Sequence, residues 1–91
     1  MLELLATPHF ERRLRQFQRQ HPELQRRLAR LFEDLAADPF APRLELHPLH
    51  GGLAGLHAVS LNYPYRITLV LRLTKSEIVL HDIGTHNEVY G

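Results

Sequence analysis

Five histidines fall between positions 47 and 86 of this 91-residue chain: His47, His50, His57, His81 and His86. Imidazole is the side chain whose ordinary pKa lets it take or give a proton near neutrality. The chain closes on His81-Asp82-Ile83-Gly84-Thr85-His86-Asn87-Glu88-Val89-Tyr90-Gly91, which sets an imidazole, a carboxylate and a phenol at the polar exit of an apolar, strand-like run. Packing alone does not require that mixture; proton transfer or phosphate chemistry does. Metal-free cleavage of RNA through its own 2′-hydroxyl needs a base for that proton, an acid for the leaving 5′-oxygen, and cations for the charge on phosphorus. His47, His86, Tyr90 and Arg66 supply these types, with tyrosine able to donate a proton or stack on an unstacked base.

Metal chemistry is the first alternative. His47-Pro48-Leu49-His50 has His-x-x-His spacing, but on a strand and loop rather than a helix. There is no cysteine, and catalytic zinc normally takes three convergent protein ligands. The expectation is therefore no metal and no cofactor. The other candidates have structural readings beside the chemical ones. His57 reads as filler of an apolar strand. His81 with Asp82 serves equally as a hydrogen-bonded structural pair or as part of a site. Arg66 meets either a phosphate or, across a sheet, Asp82 or Glu77. His21 before Pro22 reads as a solvated turn residue, His9 as a helix N-terminal one, and Tyr90 doubles as a packing anchor. His86 has the weakest structural reading, because it follows Gly84-Thr85, where core packing has normally ended.

Composition bounds the setting. Ninety-one residues make one small domain, 1–91, and 44% hydrophobic with 23% charged residues is ordinary for a globular chain. No apolar run approaches the roughly 20 residues of a membrane span, and the start, Met1 to Leu5, lacks the basic segment of a secretion signal. With no cysteine as well, a cytoplasmic protein is expected. The net charge of +1 conceals an arginine run: Arg12, Arg13, Arg15, Arg19, Arg26, Arg27 and Arg30. Solvated helix faces are the favoured reading over a nucleic-acid footprint, since the pI of about 8.3 is modest for the latter. A docking face for an acidic partner is the third reading.

The elements that must position these groups follow from periodicity. Residues 2–6 read as a strand. Thr7-Pro8 is a helix start, with Thr as cap and Pro in the first turn. Phe10, Leu14 and Phe17 then share one helical face. His21-Pro22 interrupts, and Pro22 opens a second helix bearing Leu24, Leu28, Leu31, Phe32 and Leu35, to about Asp38. After Pro39 and Pro42 the period changes. Leu44-Glu45-Leu46 alternates like a strand, Gly51-Gly52 and Gly55 punctuate a loop, and Leu56–Leu61, Tyr65–Leu73 and Glu77–Ile83 read as strands. The class is α+β: an N-terminal strand and an antiparallel helical hairpin packed on a mostly antiparallel sheet of 4–5 strands. One sheet face stays free for a site.

The segments Leu44-Glu45-Leu46-His47-Pro48-Leu49-His50-Gly51, Gly55-Leu56, Asn62-Tyr63-Pro64-Tyr65-Arg66-Ile67 and Asp82 to Tyr90 together resemble the RelE/ParE superfamily of bacterial toxins, most closely the YafQ-like messenger-RNA interferases. The likeness covers nearly the whole chain. It implies a microbial-RNase-like fold, ribosome-dependent cleavage of messenger RNA without a metal, and an antitoxin from the same operon, in an assembly such as a heterotetramer. By position it implies His86 as acid/base, His47 as the histidine of the His-Pro-Leu segment and Tyr90 as the C-terminal aromatic. Arg66 matches a superfamily arginine. Arg66 and Arg43, with His50 and Tyr65, are the expected RNA and phosphate contacts. Two positions depart: Ser60 stands where a basic residue or His is usual, and Pro64 where YafQ-like toxins place an acid. The rival expectations are a ParE-like gyrase inhibitor without catalysis and a catalytically weakened binding homologue.

Overall fold

Thr7 starts the first helix as its side chain dictates. Its Oγ1 accepts the Phe10 N–H at 3.0 Å, and Pro8 occupies the first turn, where a missing N–H costs nothing. The computed structural model describes residues 1–90. Strand β1 (Glu3–Ala6) leads into helix α1 (Pro8–Gln20), which ends at His21 ahead of Pro22. The second helix does not begin at Pro22 as expected. Pro22–Leu24 form a single 3-10 turn, and α2 runs Gln25–Ala37. Phe10, Phe17, Leu28, Leu31 and Leu35 are all buried, as 3.6-residue spacing requires. The apolar stripes of both helices are thus mostly spent on the core, with Leu14, Leu24 and Phe32 partly buried against it. The large apolar residues that stay exposed are Met1, Phe40, Tyr63 and Leu73.

The segment Leu44-Glu45-Leu46 is not a strand. Pro42–Leu44 make another 3-10 turn, and Glu45 follows at φ 53°, in the left-handed region. Leu44 is buried beneath this corner, so anchoring overrides the apparent alternation. Strand β2 is only His47–Pro48, because proline cannot donate to a ladder and shortens the edge. Strands β3 (His57–Ser60), β4 (Tyr65–Arg72) and β5 (Glu77–Thr85) follow, and the chain closes in α3 (His86–Tyr90). The sheet order is β1-β5-β4-β3-β2, with β1 parallel to β5 and the other pairs antiparallel. On β4 and β5, Thr68 pairs with Asp82 but Leu69 with Leu80, so His81 is the extra residue of a β-bulge.

Val59, Leu61, Ile67, Leu69, Ile78, Leu80 and Ile83 meet the helical phenylalanines and leucines in one core. Each such side chain contributes on the order of 1.5–3 kcal/mol by leaving water. Residues directly opposite in an antiparallel pair share a face. The register therefore puts Ser60, Arg66 and Gly84 in one row, and His47, Ala58 and Thr68 in the next, on the side away from the helices.

Candidate functional site

Helix α3 is short, and local chemistry holds it in place. Thr85 and Glu88 form a capping box: the Glu88 N–H donates to Thr85 Oγ1 at 3.2 Å, and the Thr85 N–H donates to Glu88 Oε1 at 2.8 Å. A Cβ at Gly84 would lie 2.8 Å from Glu88 Oε1 and 3.0 Å from Arg13 Nη2, so a side chain there would push both of these groups aside. Arg13 reaches over from α1 and bonds Asp82 (3.4 Å), the Ile83 carbonyl (3.3 Å) and Glu88 (3.3 Å). The Thr85 N–H, helped by Arg13, holds the Glu88 carboxyl below the usual carboxylate range. The signals for this were Thr85-His86-Asn87-Glu88, a capping-box spacing, and Gly84; nothing in the arginine run distinguished Arg13 from its neighbours.

One turn of α3 brings His86 and Tyr90 together. Their rings meet edge to face with centroids 4.2 Å apart. His86 is exposed, whereas the Tyr90 hydroxyl is buried with no hydrogen-bond partner. Burial raises the Tyr90 pKa, and the nearby Arg66 guanidinium opposes that rise. The phenol stays protonated, so it is a donor with nothing yet to donate to. Thr68 Oγ1 is a second buried polar atom on this face without a partner. Unmet buried groups cost stability, which makes them more telling than satisfied ones.

Arg66 does not pair with Asp82 or Glu77. Its Nη1 donates to the carbonyls of Asn62 (2.7 Å), Tyr63 (2.9 Å) and Tyr65 (3.1 Å) and to Ser60 Oγ (3.2 Å), tying down the β3–β4 bend. Glu77 instead meets Arg72 at 3.7 Å, and Asp82 is shared by Arg13 and His9, the latter at 3.3 Å. Ser60, one of the two departures, therefore helps hold the arginine. Tyr63, at 92% exposed, projects from the same bend beside Pro64.

The remaining candidates are spread. His47 is exposed on β2, its Nδ1 2.8 Å from the Glu45 carbonyl. It shares the open face, but three inter-strand spacings, roughly 14 Å, separate β2 from β5. His50 is exposed in the following loop, and the described structure gives it no link to α3. Arg43 is exposed and forks onto Asp34 with two bonds of 2.9 Å. Tyr65 points to the helices, against Phe17, and its hydroxyl lies 3.0 Å from His21 Nε2. His21 is accordingly no solvated turn residue: its Nδ1 lies 3.2 Å from Glu23, and its ring packs between Phe17 and Tyr65. Among the described residues no group of three or more His, Cys, Asp or Glu is arranged to hold a metal, and no helix is long and apolar enough to cross a membrane.

No family model matches the chain, and no curated protein matches it significantly. Solved structures do. YafQ from E. coli strain BL21(DE3) superposes with a TM-score of 0.82 at 17% identity, over 100% of both chains. A metal-bound toxin from Helicobacter pylori gives 0.81 at 24% identity, covering 98% of this chain and 99% of that one. The toxin of the E. coli DinJ-YafQ toxin-antitoxin complex gives 0.79 at 18%, covering 99% and 98%. The chain thus shares the fold of these solved structures over nearly its whole length, the α+β architecture anticipated from its sequence.

Proposed function

We propose that this protein is the toxin of a type II toxin-antitoxin pair and acts as a metal-independent endoribonuclease on ribosome-bound messenger RNA. The observation that carries this is the His86–Tyr90 pair: an exposed imidazole in ring contact with a half-buried, protonated phenol near Arg66 whose hydroxyl has no partner among the described residues. Support for the biological setting comes from the fold, shared end to end with a toxin also known in complex with an antitoxin.

In the proposed reaction a base takes the 2′-hydroxyl proton, and the 2′-oxygen bonds to phosphorus. The bond from phosphorus to the 5′-oxygen breaks, and that oxygen leaves with a proton from an acid. The products are a 2′,3′-cyclic phosphate and a 5′-hydroxyl. His86 is the principal acid/base. Tyr90 donates a hydrogen bond to a phosphate oxygen as charge builds there. Arg66 keeps Nε and Nη2 free of protein partners among the described residues and offers them to the same phosphate. His47, three strand spacings away, lies beyond hydrogen-bond reach of the atoms that His86 serves and meets the RNA farther along the open face, so the second proton passes to or from solvent. Arg43 and His50 line the outer path of the strand.

A His86→Ala variant should fold as the parent does and lose growth arrest and message cleavage. Arrest and cleavage at the parental level in that variant would sink the assignment. The rival, a gyrase inhibitor, is separated by a supercoiling assay: blocked supercoiling with intact message would establish it. The unpartnered Tyr90 hydroxyl favours the enzyme, because a purely protein-binding surface has no need to bury an unmet donor.

A further inference from the structure

Between α2 and the end of β3 lies a cavity of about 250 Å³. Its rim carries Arg27, Arg30, Arg43 and Asp34, its floor is leucine side chains, and Ser60 stands at one end. The rim follows from helical spacing: Arg27, Arg30 and Asp34 recur at i, i+3 and i+7 on one face of α2. Three guanidiniums face one carboxylate, a surplus of two positive charges. Asp34 is already committed, since its bidentate pairing with Arg43 holds its carboxyl below the usual range and fixes the Arg43 fork. Arg27 and Arg30 make no ion pair among the described residues, although Arg30 lies near enough to Asp34 to help hold its carboxyl down. Ser60 also accepts a hydrogen bond from Arg66 at 3.2 Å, so the Ser60 end of the cavity borders the Arg66 side chain.

We infer that this cavity is a second anion subsite, holding a phosphodiester of the RNA strand beyond the bond that is cut. This rests on the ribonuclease reading above. Arginine matches phosphate with paired, planar donors, and two such forks without a carboxylate are unspent. The apolar floor suits the face of a ribose or base. Continuity with Arg66 through Ser60 favours the strand already crossing the site over a separate acidic peptide.

The test uses a fluorescein-labelled single-stranded RNA hexamer, made uncuttable by 2′-deoxy substitution, with anisotropy read across a salt series. The Arg27→Ala/Arg30→Ala variant should bind roughly tenfold more weakly, with a salt slope shallower by about 0.7 for the one phosphate released. Arg27→Lys/Arg30→Lys should recover the slope and only part of the affinity. Arg12→Ala/Arg15→Ala, on exposed positions of α1, makes the same charge change and should bind within about twofold of the parent. Equal loss in both alanine pairs reduces the cavity to general charge, and unchanged binding removes it; either overturns the inference. So does loss of binding to a polyglutamate peptide with RNA binding intact, which would assign the cavity to a protein partner. Single-turnover cleavage of a cuttable hexamer by the parent separates the two levels: cleavage with unchanged binding in Arg27→Ala/Arg30→Ala overturns only the cavity, and cavity-dependent binding without any cleavage overturns only the ribonuclease reading.

Discussion

Two histidine–tyrosine pairs lie on opposite sides of the same sheet, and their surroundings differ in kind. His21 and Tyr65 sit on the helix side, with the phenol bonded to one ring nitrogen, Glu23 at the other, and Phe17 packed against both rings. His86 and Tyr90 sit on the open side in ring contact, without a hydrogen bond between them; His86 is exposed, and the Tyr90 hydroxyl is buried without a partner. A satisfied pair joins elements: here it pins the α1–α2 corner to β4. The second pair keeps its hydrogen-bonding capacity open to a ligand. The same two residue types thus give a structural clasp in one place and a candidate reactive centre in the other.

Matched substitutions break that contrast most sharply. His86→Gln should lower cleavage by about a hundredfold or more, the scale of general acid–base catalysis, and leave the melting temperature where it was. His21→Gln should do the reverse, lowering stability while each folded molecule cuts at the parental rate. Equal effects of both on rate would erase the distinction. Next in size is Arg13→Ala, which frees α3 and should reduce the rate roughly tenfold by misplacing His86 and Tyr90; the check is single-turnover cleavage beside a thermal melt. Tyr65→Phe should cost about 1 kcal/mol of stability, one lost hydrogen bond, in a urea titration. Tyr90→Phe should cost almost none, since its hydroxyl has no partner, yet it should slow the reaction.

The smallest effects are in titration. Because Glu88 binds a proton less readily folded than unfolded, its contribution is complete at neutral pH and is lost as pH falls through its depressed folded pKa. Acid melts should therefore weaken the parent more than Glu88→Gln. At the alkaline end, the Tyr90 phenol should ionise above the range of free tyrosine. Arg66→Gln should push it higher still, since the guanidinium opposes the rise. A phenolate absorbance difference between the parent and Tyr90→Phe reads this directly.

Much of the fold was legible where a local rule and the tertiary demand coincide. Thr7-Pro8 started a helix because cap and proline both satisfy its first turn, and Phe10, Phe17, Leu28, Leu31 and Leu35 kept their period because one stripe meets one core. Leu44-Glu45-Leu46 misled because burying Leu44 under a proline-started turn outweighs alternation over three residues. His21 misled because nothing beside it in sequence announces Tyr65, 44 positions on. Arg13 was hidden among six other arginines; of that run, it alone among the described residues makes side-chain hydrogen bonds, to Asp82 and Ile83 near the end of β5 and to Gln16 and Glu88.

By itself the sequence determined which residue types were available and which local elements they build, because caps, turns and periodic apolar stripes act within a few residues of chain. The helix that joins His86 to Tyr90 was not anticipated; once it forms, four positions make one turn and bring the two rings together. Only the tertiary structure decided that the Tyr90 hydroxyl is buried near Arg66, that Tyr65 turns away to the helices, and that Ser60 stands between Arg66 and an arginine-rimmed cavity. Those depend on strand register and on which face the last helix covers, and both are set by side chains far apart in the chain.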